Sequence, residues 1–124
     1  MNKNILGLRT VIYYVPDLDK AKEWYAMVFG KPPYFDEPFY VGFEIGGYEL
    51  GLLPEKEPIE NKTVNVETYW GVEDIELEHK RFIELGATEH TPVTNVGGPL
   101  LVSTLFDPWQ NVIGLIYNPL FKLP

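Results

Sequence analysis

Few side chains in this sequence have the type and spacing that enzyme chemistry usually requires. There is no cysteine, and neither of the two histidines, His79 and His90, belongs to a His-Glu-x-x-His motif or a carboxylate cluster. Both histidines are therefore predicted to be surface or packing residues. No serine has the context of a nucleophile elbow. Gly97-Gly98 precedes a proline and opens no helix, so it predicts a loop and no phosphate site.

The carboxylate of Glu67 is the most informative candidate, because it interrupts the largely apolar run 64–72. A carboxylate within a strand that faces an apolar space is costly unless it is paired or hydrogen-bonded. Glu67 could serve as a counter-ion for a cationic ligand, or as a general base with a raised pKa. The alternatives are an ion pair with Arg9 or a lysine, and solvation at an open cavity mouth. Glu49 lies nearer a hairpin end and is predicted to be solvated.

Aromatic residues make up 15% of the chain, more than a core of this size needs, so some could line a stacking pocket. Tyr14 and Tyr69 lie in strand-like runs, where they could stack on a ligand, hydrogen-bond to it, or fill the core. Trp109 follows Asp107-Pro108 in a predicted turn. There it could contact a ligand or a second subunit, although packing within the turn is the simpler interpretation.

The elements that must position these residues occur twice in the chain. Val15-Pro16-Asp17-Leu18 returns 57 residues later as Val72-Glu73-Asp74-Ile75, and residues 48–52 match 111–115. In each half a strand-like run precedes the motif, an aspartate can cap the following helix, and a glycine can end it. The predicted strands are 6–15, 39–45, 48–53, 64–72, 88–95, 100–106 and 112–117, and the predicted helices are 18–29 and 74–85.

This duplication predicts an α+β fold made of two tandem βαβββ units within a single domain, residues 1–124. The first unit covers 5–53 and the second 64–118. They are joined by a linker over 54–63, which is rich in glutamate and proline. At this length the chain can bury roughly two-thirds of its unfolded surface.

The formal net charge of −8 and the pI near 4.7 argue against nucleic acid as a partner, since phosphate binding needs a basic face. An acidic surface also favours encounter with small cations, although it serves solubility in many proteins. No apolar run approaches the ~18 residues of a membrane span, and the N-terminus lacks a signal-peptide pattern. A cytoplasmic protein is therefore expected.

Two βαβββ units with a V-x-D-[LI] step, a Phe-Gly or Leu-Gly helix end and D-P-x-x-N before the last strand resemble the vicinal-oxygen-chelate superfamily. This group contains glyoxalase I, bleomycin-resistance proteins and extradiol dioxygenases. The resemblance covers about residues 5–118. It implies a cup-shaped half-barrel lined by both units, completed within one chain or across a homodimer.

The resemblance also implies where a metal would bind in the metal-dependent members. One ligand comes from the first strand and one from the last strand of each unit. The corresponding positions are Thr10 and Gly51 in the first unit, and Glu67 and Gly114 in the second. Three of these four offer no strong ligand, so no metal and no other cofactor are predicted. The two glycines would leave room on the cavity floor for a flat ligand.

Strand alternation within this fold then gives the residues expected to line the cup. Val11, Tyr13 and Val15 should point towards the helices instead. The predicted ligand-binding residues are Thr10, Ile12, Tyr14, Glu49, Gly51, Glu67, Tyr69, Trp109, Val112 and Gly114.

The function that the resemblance implies is metal-independent binding and sequestration of a small aromatic or cationic compound. Tyr14, Tyr69 and Trp109 would supply stacking and Glu67 the charge; no catalytic residue is identified. The first alternative is a metal-dependent enzyme of the glyoxalase or dioxygenase type, with a cation at Glu67. The second is a dimeric interaction module whose cup is filled by side chains.

Overall fold

The computed structural model describes residues 8–62 and 67–121. Contacts between Cα atoms divide the chain into two compact units, unit 1 from Met1–Pro58 and unit 2 from Ile59–Pro124. The boundary falls inside the segment predicted as a linker. Each described helix is too short and too polar to cross a membrane.

Unit 1 is a four-stranded mixed sheet with one helix packed on it. Its elements in chain order are β1 (Thr10–Val15), α1 (Leu18–Phe29), β2 (Phe35–Glu37), β3 (Tyr40–Ile45) and β4 (Tyr48–Pro54). The strand order is β1-β4-β3-β2, in which β1 and β4 are parallel and the other pairs antiparallel. The crossover through α1 is what allows β1 and β4 to run in parallel.

Local chemistry fixes the ends of α1 and of the hairpin that follows. The Asp17 carboxylate accepts a hydrogen bond from the Lys20 backbone N–H, which caps the helix start. Gly30 ends the helix with a left-handed φ of 70°. Gly46 and Gly47, with φ of 58° and 91°, make the two-residue turn between β3 and β4. The sequence predicts all three features.

One face of the unit 1 sheet forms the core beneath α1, and the other remains open. Tyr13 and Val15 of β1 are buried, as are Leu50 and Leu52 of β4. Tyr14, between the two buried β1 residues, is 45% exposed, and Ile12, before them, is 44% exposed. The predicted alternation of β1 is therefore confirmed at Ile12, Tyr13, Tyr14 and Val15.

Unit 2 repeats the same order of elements. They are β5 (Tyr69–Gly71), α2 (Ile75–Glu84), β6 (Thr88–Gly97), β7 (Leu100–Phe106) and β8 (Val112–Tyr117). The strand order β5-β8-β7-β6 matches that of unit 1, again with a parallel pair, β5 and β8. The prediction of an α+β fold with two βαβββ units is confirmed.

The helices and most strands lie where the sequence predicts them. The strand predicted from residue 6 begins at Thr10, after Leu8 and Arg9, while residues 6 and 7 lie outside the described part; β6 extends two residues further, to Gly97. Two other elements differ more. β2 has no sequence prediction, because three exposed residues after Pro32-Pro33 carry little apolar pattern. The strand predicted over 64–72 is shorter: β5 begins at Tyr69, Glu67 and Thr68 precede it, and residues 63–66 lie outside the described part.

His79 of α2 is buried and forms a polar link beneath the helix of unit 2. Its Nδ1 is 2.8 Å from the Ser103 hydroxyl, and its Nε2 is 2.8 Å from a Glu89 carboxylate oxygen. Ser103 and His79 are buried, whereas the Glu89 side chain is 48% exposed. The link satisfies polar groups between α2, β6 and β7, which agrees with a packing role for His79.

Candidate functional site

A carboxylate surrounded by hydroxyl groups lies on the open face of unit 1. Glu49 of β4 accepts a hydrogen bond from Thr10 Oγ1 at 2.8 Å and a second, short one from the Tyr34 hydroxyl. The Tyr40 hydroxyl also interacts with this carboxylate. We call Thr10, Tyr34, Tyr40 and Glu49 the hydroxyl–carboxylate cluster. Residues from β1, β3, β4 and the loop before β2 thus converge around one acidic side chain.

Strand register brings these residues together. Thr10 of β1 lies directly beside Glu49 of β4 in the parallel ladder. Tyr40 begins β3, and its side chain lies on the same face as Gly42 because the two are two residues apart. Tyr34 is held against β3 by a backbone hydrogen bond from its N–H to the Gly42 carbonyl, 2.9 Å long.

Two glycines opposite each other in the sheet make room for the cluster. Gly42 and Gly51 are paired across β3 and β4. A Cβ on Gly51 would lie 2.8 Å from Cζ of Tyr40, and a Cβ on Gly42 would lie 2.8 Å from Oε2 of Glu49. Both distances are shorter than real Cβ contacts, so any side chain at these positions would displace the cluster.

The hydrogen bonds hold Glu49 in its ionised form. Partial burial by itself raises the pKa of Glu49, but the hydrogen bonds from Tyr34, Thr10 and Tyr40 together outweigh it and leave the pKa below its usual value. Burial and the contact with Glu49 raise the pKa of Tyr40 to about 12. The carboxylate is therefore charged and the phenols neutral at physiological pH.

An open pocket of about 440 Å³ adjoins the cluster. Its lining includes Arg9, Thr10, Tyr34, Glu44, Tyr48 and Glu49. The charge of Glu44 is compensated, since this residue pairs with Lys31 and accepts a 2.6 Å hydrogen bond from the Gly47 N–H. Within residues 8–62 and 67–121, no basic side chain forms an ion pair with Glu49. The remaining charged side chains of the lining are those of Glu49 and Arg9.

Unit 2 has a related but simpler arrangement at the matching glycine. Tyr69 and Gly114 are paired across β5 and β8, and a Cβ on Gly114 would lie 2.6 Å from Cδ1 of Tyr69 and would clash with the Thr68 carbonyl oxygen. The Tyr69 hydroxyl donates a 2.8 Å hydrogen bond to Glu67. A tyrosine ring thus covers the glycine in both units.

The structure corrects the sequence-based ranking of the two acids. Glu67 was expected within a strand and facing an apolar space, but it precedes β5 and is exposed. Glu49 was expected to be solvated, but it is half-buried and accepts hydrogen bonds from the Thr10 and Tyr34 hydroxyl groups. The prediction fails because it relies on strand alternation, which does not show where a strand starts or what reaches over from a loop.

The interpretation of the glycines as empty floor is also wrong. Their backbone does allow a flat group to approach closely, but that group is a tyrosine of the same unit, Tyr40 over Gly51 and Tyr69 over Gly114. Tyr40 and Tyr34 are absent from the residues predicted to bind a ligand. Alternation along β3 places Tyr40 and Gly42 on one face and could have identified Tyr40, whereas no pattern singles out Tyr34.

The remaining predicted residues are not members of the hydroxyl–carboxylate cluster. Ile12 and Tyr14 occupy the same open face of unit 1 and are 44% and 45% exposed. In unit 2, Trp109 is half-buried in the turn between β7 and β8, and Val112 is the first residue of β8. Their predicted contact with a ligand stays a prediction.

The residues at the four positions that the sequence resemblance associates with a metal do not provide the ligands for one. The Thr10 hydroxyl donates a hydrogen bond to Glu49. Gly51 and Gly114 have no side chain that could bind a metal, and a side chain would not fit at either position. Among the described residues, no group of three or more His, Asp or Glu side chains is arranged to hold a metal ion. A site at these positions would leave a cation with too few ligands.

Comparison with known families then decides the relationship of this chain. The sequence profile of the Glyoxalase/Bleomycin resistance protein/Dioxygenase superfamily matches residues 7–115. The chain belongs to this superfamily. A search of curated proteins gives no match.

Solved structures agree with this superfamily fold. A glyoxalase-related enzyme from Fulvimarina pelagi is 15% identical with a TM-score of 0.75, covering 97% of this chain and 94% of that one. A superfamily enzyme from Burkholderia phytofirmans PsJN is 17% identical with a TM-score of 0.74, covering 87% and 95%. The fosfomycin resistance protein FosX from Mesorhizobium loti is 18% identical with a TM-score of 0.73, covering 94% and 95%. At these low sequence identities, the similarity to the three solved structures shows that the fold is shared and nothing about function.

Proposed function

We propose that this superfamily member is a metal-independent binding protein for a small aromatic or cationic compound, held in the pocket of unit 1. The observation that carries the proposal is the ionised Glu49 carboxylate, fixed by three hydroxyl groups beside an open pocket of about 440 Å³. Pockets for small molecules range from ~300 to 1,000 Å³ and combine apolar walls with a few fixed polar groups. Tyr34 and Tyr48 supply aromatic walls here.

The chemistry of the cluster favours capture over catalysis. A general base works best with a pKa near the operating pH, and the hydrogen bonds move the pKa of Glu49 in the opposite direction. The phenol of Tyr40, with a pKa of about 12, is a weak acid. The cluster is thus suited to fixing charge and aromatic surface.

A calorimetric screen of the purified protein tests the proposal. The panel contains small compounds of four kinds: aromatic cations, aliphatic cations, neutral aromatics and anions. We expect saturable binding of at least one aromatic or cationic compound, weakened by Glu49→Gln or Tyr34→Leu. Glu84→Gln, an exposed position on α2, controls for the change in net charge. Absence of saturable binding across the panel would refute the proposal.

Elemental analysis of the same preparation separates binding from the enzyme alternative. A stoichiometric transition metal that survives dialysis would favour a glyoxalase- or dioxygenase-type enzyme and contradict metal independence. The homodimer, the cytoplasmic localisation and the role of the unit 2 residues stay predictions from the sequence.

A further inference from the structure

The number of hydrogen bonds that Glu49 already accepts limits what else it can bind. An ionised carboxylate offers about four lone-pair sites. Thr10 and Tyr34 take two of them through their hydroxyl groups, and the Tyr40 hydroxyl interacts with the same carboxylate. Glu49 therefore presents a full negative charge to the pocket but few free acceptor sites.

This combination discriminates between kinds of cation. A primary ammonium has three N–H donors, more than the remaining acceptor sites of Glu49 can satisfy once the water partners are lost. A quaternary ammonium has no N–H group, so it responds to the charge and loses no hydrogen bond. The crowded carboxylate thus favours a methylated cation over a primary amine.

The aromatic surroundings point to the same class. Tyr34 and Tyr48 line the pocket, and Tyr34 is 63% exposed, so one face of its ring is open to a ligand. The ring centroid of Tyr34 is 6.5 Å from that of Phe35, which in turn lies 6.0 Å from that of Tyr40. This aromatic support restrains the ring. Aromatic faces attract quaternary ammonium groups through cation–π interactions.

We propose that the pocket of unit 1 binds a quaternary ammonium group, with the cation against the rings of Tyr34 and Tyr48 and beside the Glu49 carboxylate. The inference rests on the proposed function and names the ligand class. The acidic net charge of the chain, −8, favours the encounter. The pocket is large enough for such a group and part of the molecule that carries it.

Four probes of similar size separate the contributions of charge, methylation and shape. Choline carries the trimethylammonium group, 3,3-dimethylbutan-1-ol is its neutral isostere, ethanolamine is the primary amine, and 3,3-dimethylbutanoate is an anion. Titration calorimetry at low salt measures each against the wild-type protein. We expect choline to bind about tenfold more tightly than the other three, because charge and ring contacts act together.

Matched variants locate the effect. Tyr34→Leu removes the ring and should weaken choline binding about fivefold to thirtyfold, whereas Tyr34→Phe keeps the ring and should weaken it less. Glu49→Gln should abolish the preference for choline over the neutral alcohol. Glu84→Gln changes the net charge equally and should leave that preference intact. Circular dichroism checks that each variant is folded.

The outcomes distinguish this inference from the proposed function. Equal or tighter binding of ethanolamine, or a preference for the anion through Arg9, overturns the quaternary ammonium inference while small-molecule binding at the pocket stands. The inference also fails if choline does not bind, or if the Glu49 and Glu84 variants behave alike. Failure of both these probes and the wider panel refutes the proposed function itself.

Discussion

A glycine in the last strand of each unit decides which side chain covers the sheet at that point. The resemblance to metal-dependent proteins implies a ligand at the position of Gly51, but here the Tyr40 ring takes that space. The same exchange occurs at Gly114 with Tyr69. A missing side chain on one strand thus makes room for a large one from its neighbour. In unit 1 the tyrosine hydroxyl then reaches the carboxylate that dominates the site.

Replacing Gly51 with alanine should disrupt the cluster. The new Cβ would lie 2.8 Å from Cζ of Tyr40, so the ring must move and its hydrogen bond to Glu49 weakens. Overpacking of this kind costs about 1–3 kcal/mol. Urea unfolding measures that loss, and calorimetry should show weaker binding of any ligand found for the pocket.

The matched control is Gly71→Ala in β5. A Cβ there would meet no atom within 4 Å, and Gly71 has no positive φ. This change should alter stability by less than about 0.5 kcal/mol. Equal effects of the two substitutions would show that Tyr40 does not need the space above Gly51.

Among the elements, the turn between β7 and β8 depends on one buried acid. The Asp107 carboxylate is 1% exposed and accepts hydrogen bonds from the backbone N–H groups of Trp109 and Asn111 and from the Asn111 side chain. These contacts hold Gln110 at a φ of 71°, a left-handed conformation that non-glycine residues rarely adopt. The related hairpin in unit 1 uses Gly46 and Gly47 instead.

Asp107→Ala should therefore be among the most damaging single changes in unit 2. It leaves three donors of the turn without their acceptor, which should lower the free energy of unfolding by about 3 kcal/mol. Asp19→Ala, at an exposed position in the first turn of α1, should cost about 0.5 kcal/mol or less. Similar denaturation midpoints for the two variants would contradict this role of Asp107.

Element positions were largely predictable, because repeats, caps and turn residues act locally. Asp17 and Asp74 cap their helices as expected, each accepting from the backbone N–H three residues later. The strand β2 was not predictable, since its three exposed residues are held by pairing with β3 and by the Lys22–Asp36 ion pair. Such non-local contacts leave no periodic signal.

For the whole molecule, the ionised Glu49 makes stability depend on pH. Its pKa is lower in the folded state than in the unfolded chain, so it stabilises the fold above the unfolded value, about 4.3 for a glutamate. That contribution is lost as the pH falls through the lower folded-state pKa. The stability difference between wild type and Glu49→Gln should be constant near neutral pH and shrink below about pH 4.3.

This difference is measured by urea unfolding of the wild-type and Glu49→Gln proteins at a series of pH values between about 3 and 7. Glu84→Gln serves again as the control, because Glu84 lies exposed on α2 and forms only a 4.0 Å pair with Lys80. A difference that persists unchanged at the acidic end would mean that Glu49 is not hydrogen-bonded as described.

The sequence alone determined the duplicated βαβββ plan, the superfamily and the absence of a strong ligand at three of its four metal positions. These follow from repeats, capping residues and residue types, all of which are properties of short segments. Only the tertiary structure decided that Glu49, and not Glu67, is the half-buried acid held by hydroxyl groups, and that Tyr34 and Tyr40 complete its surroundings. The cluster joins residues from β1, β3, β4 and the loop before β2, and strand pairing sets their proximity, which no spacing along the chain encodes.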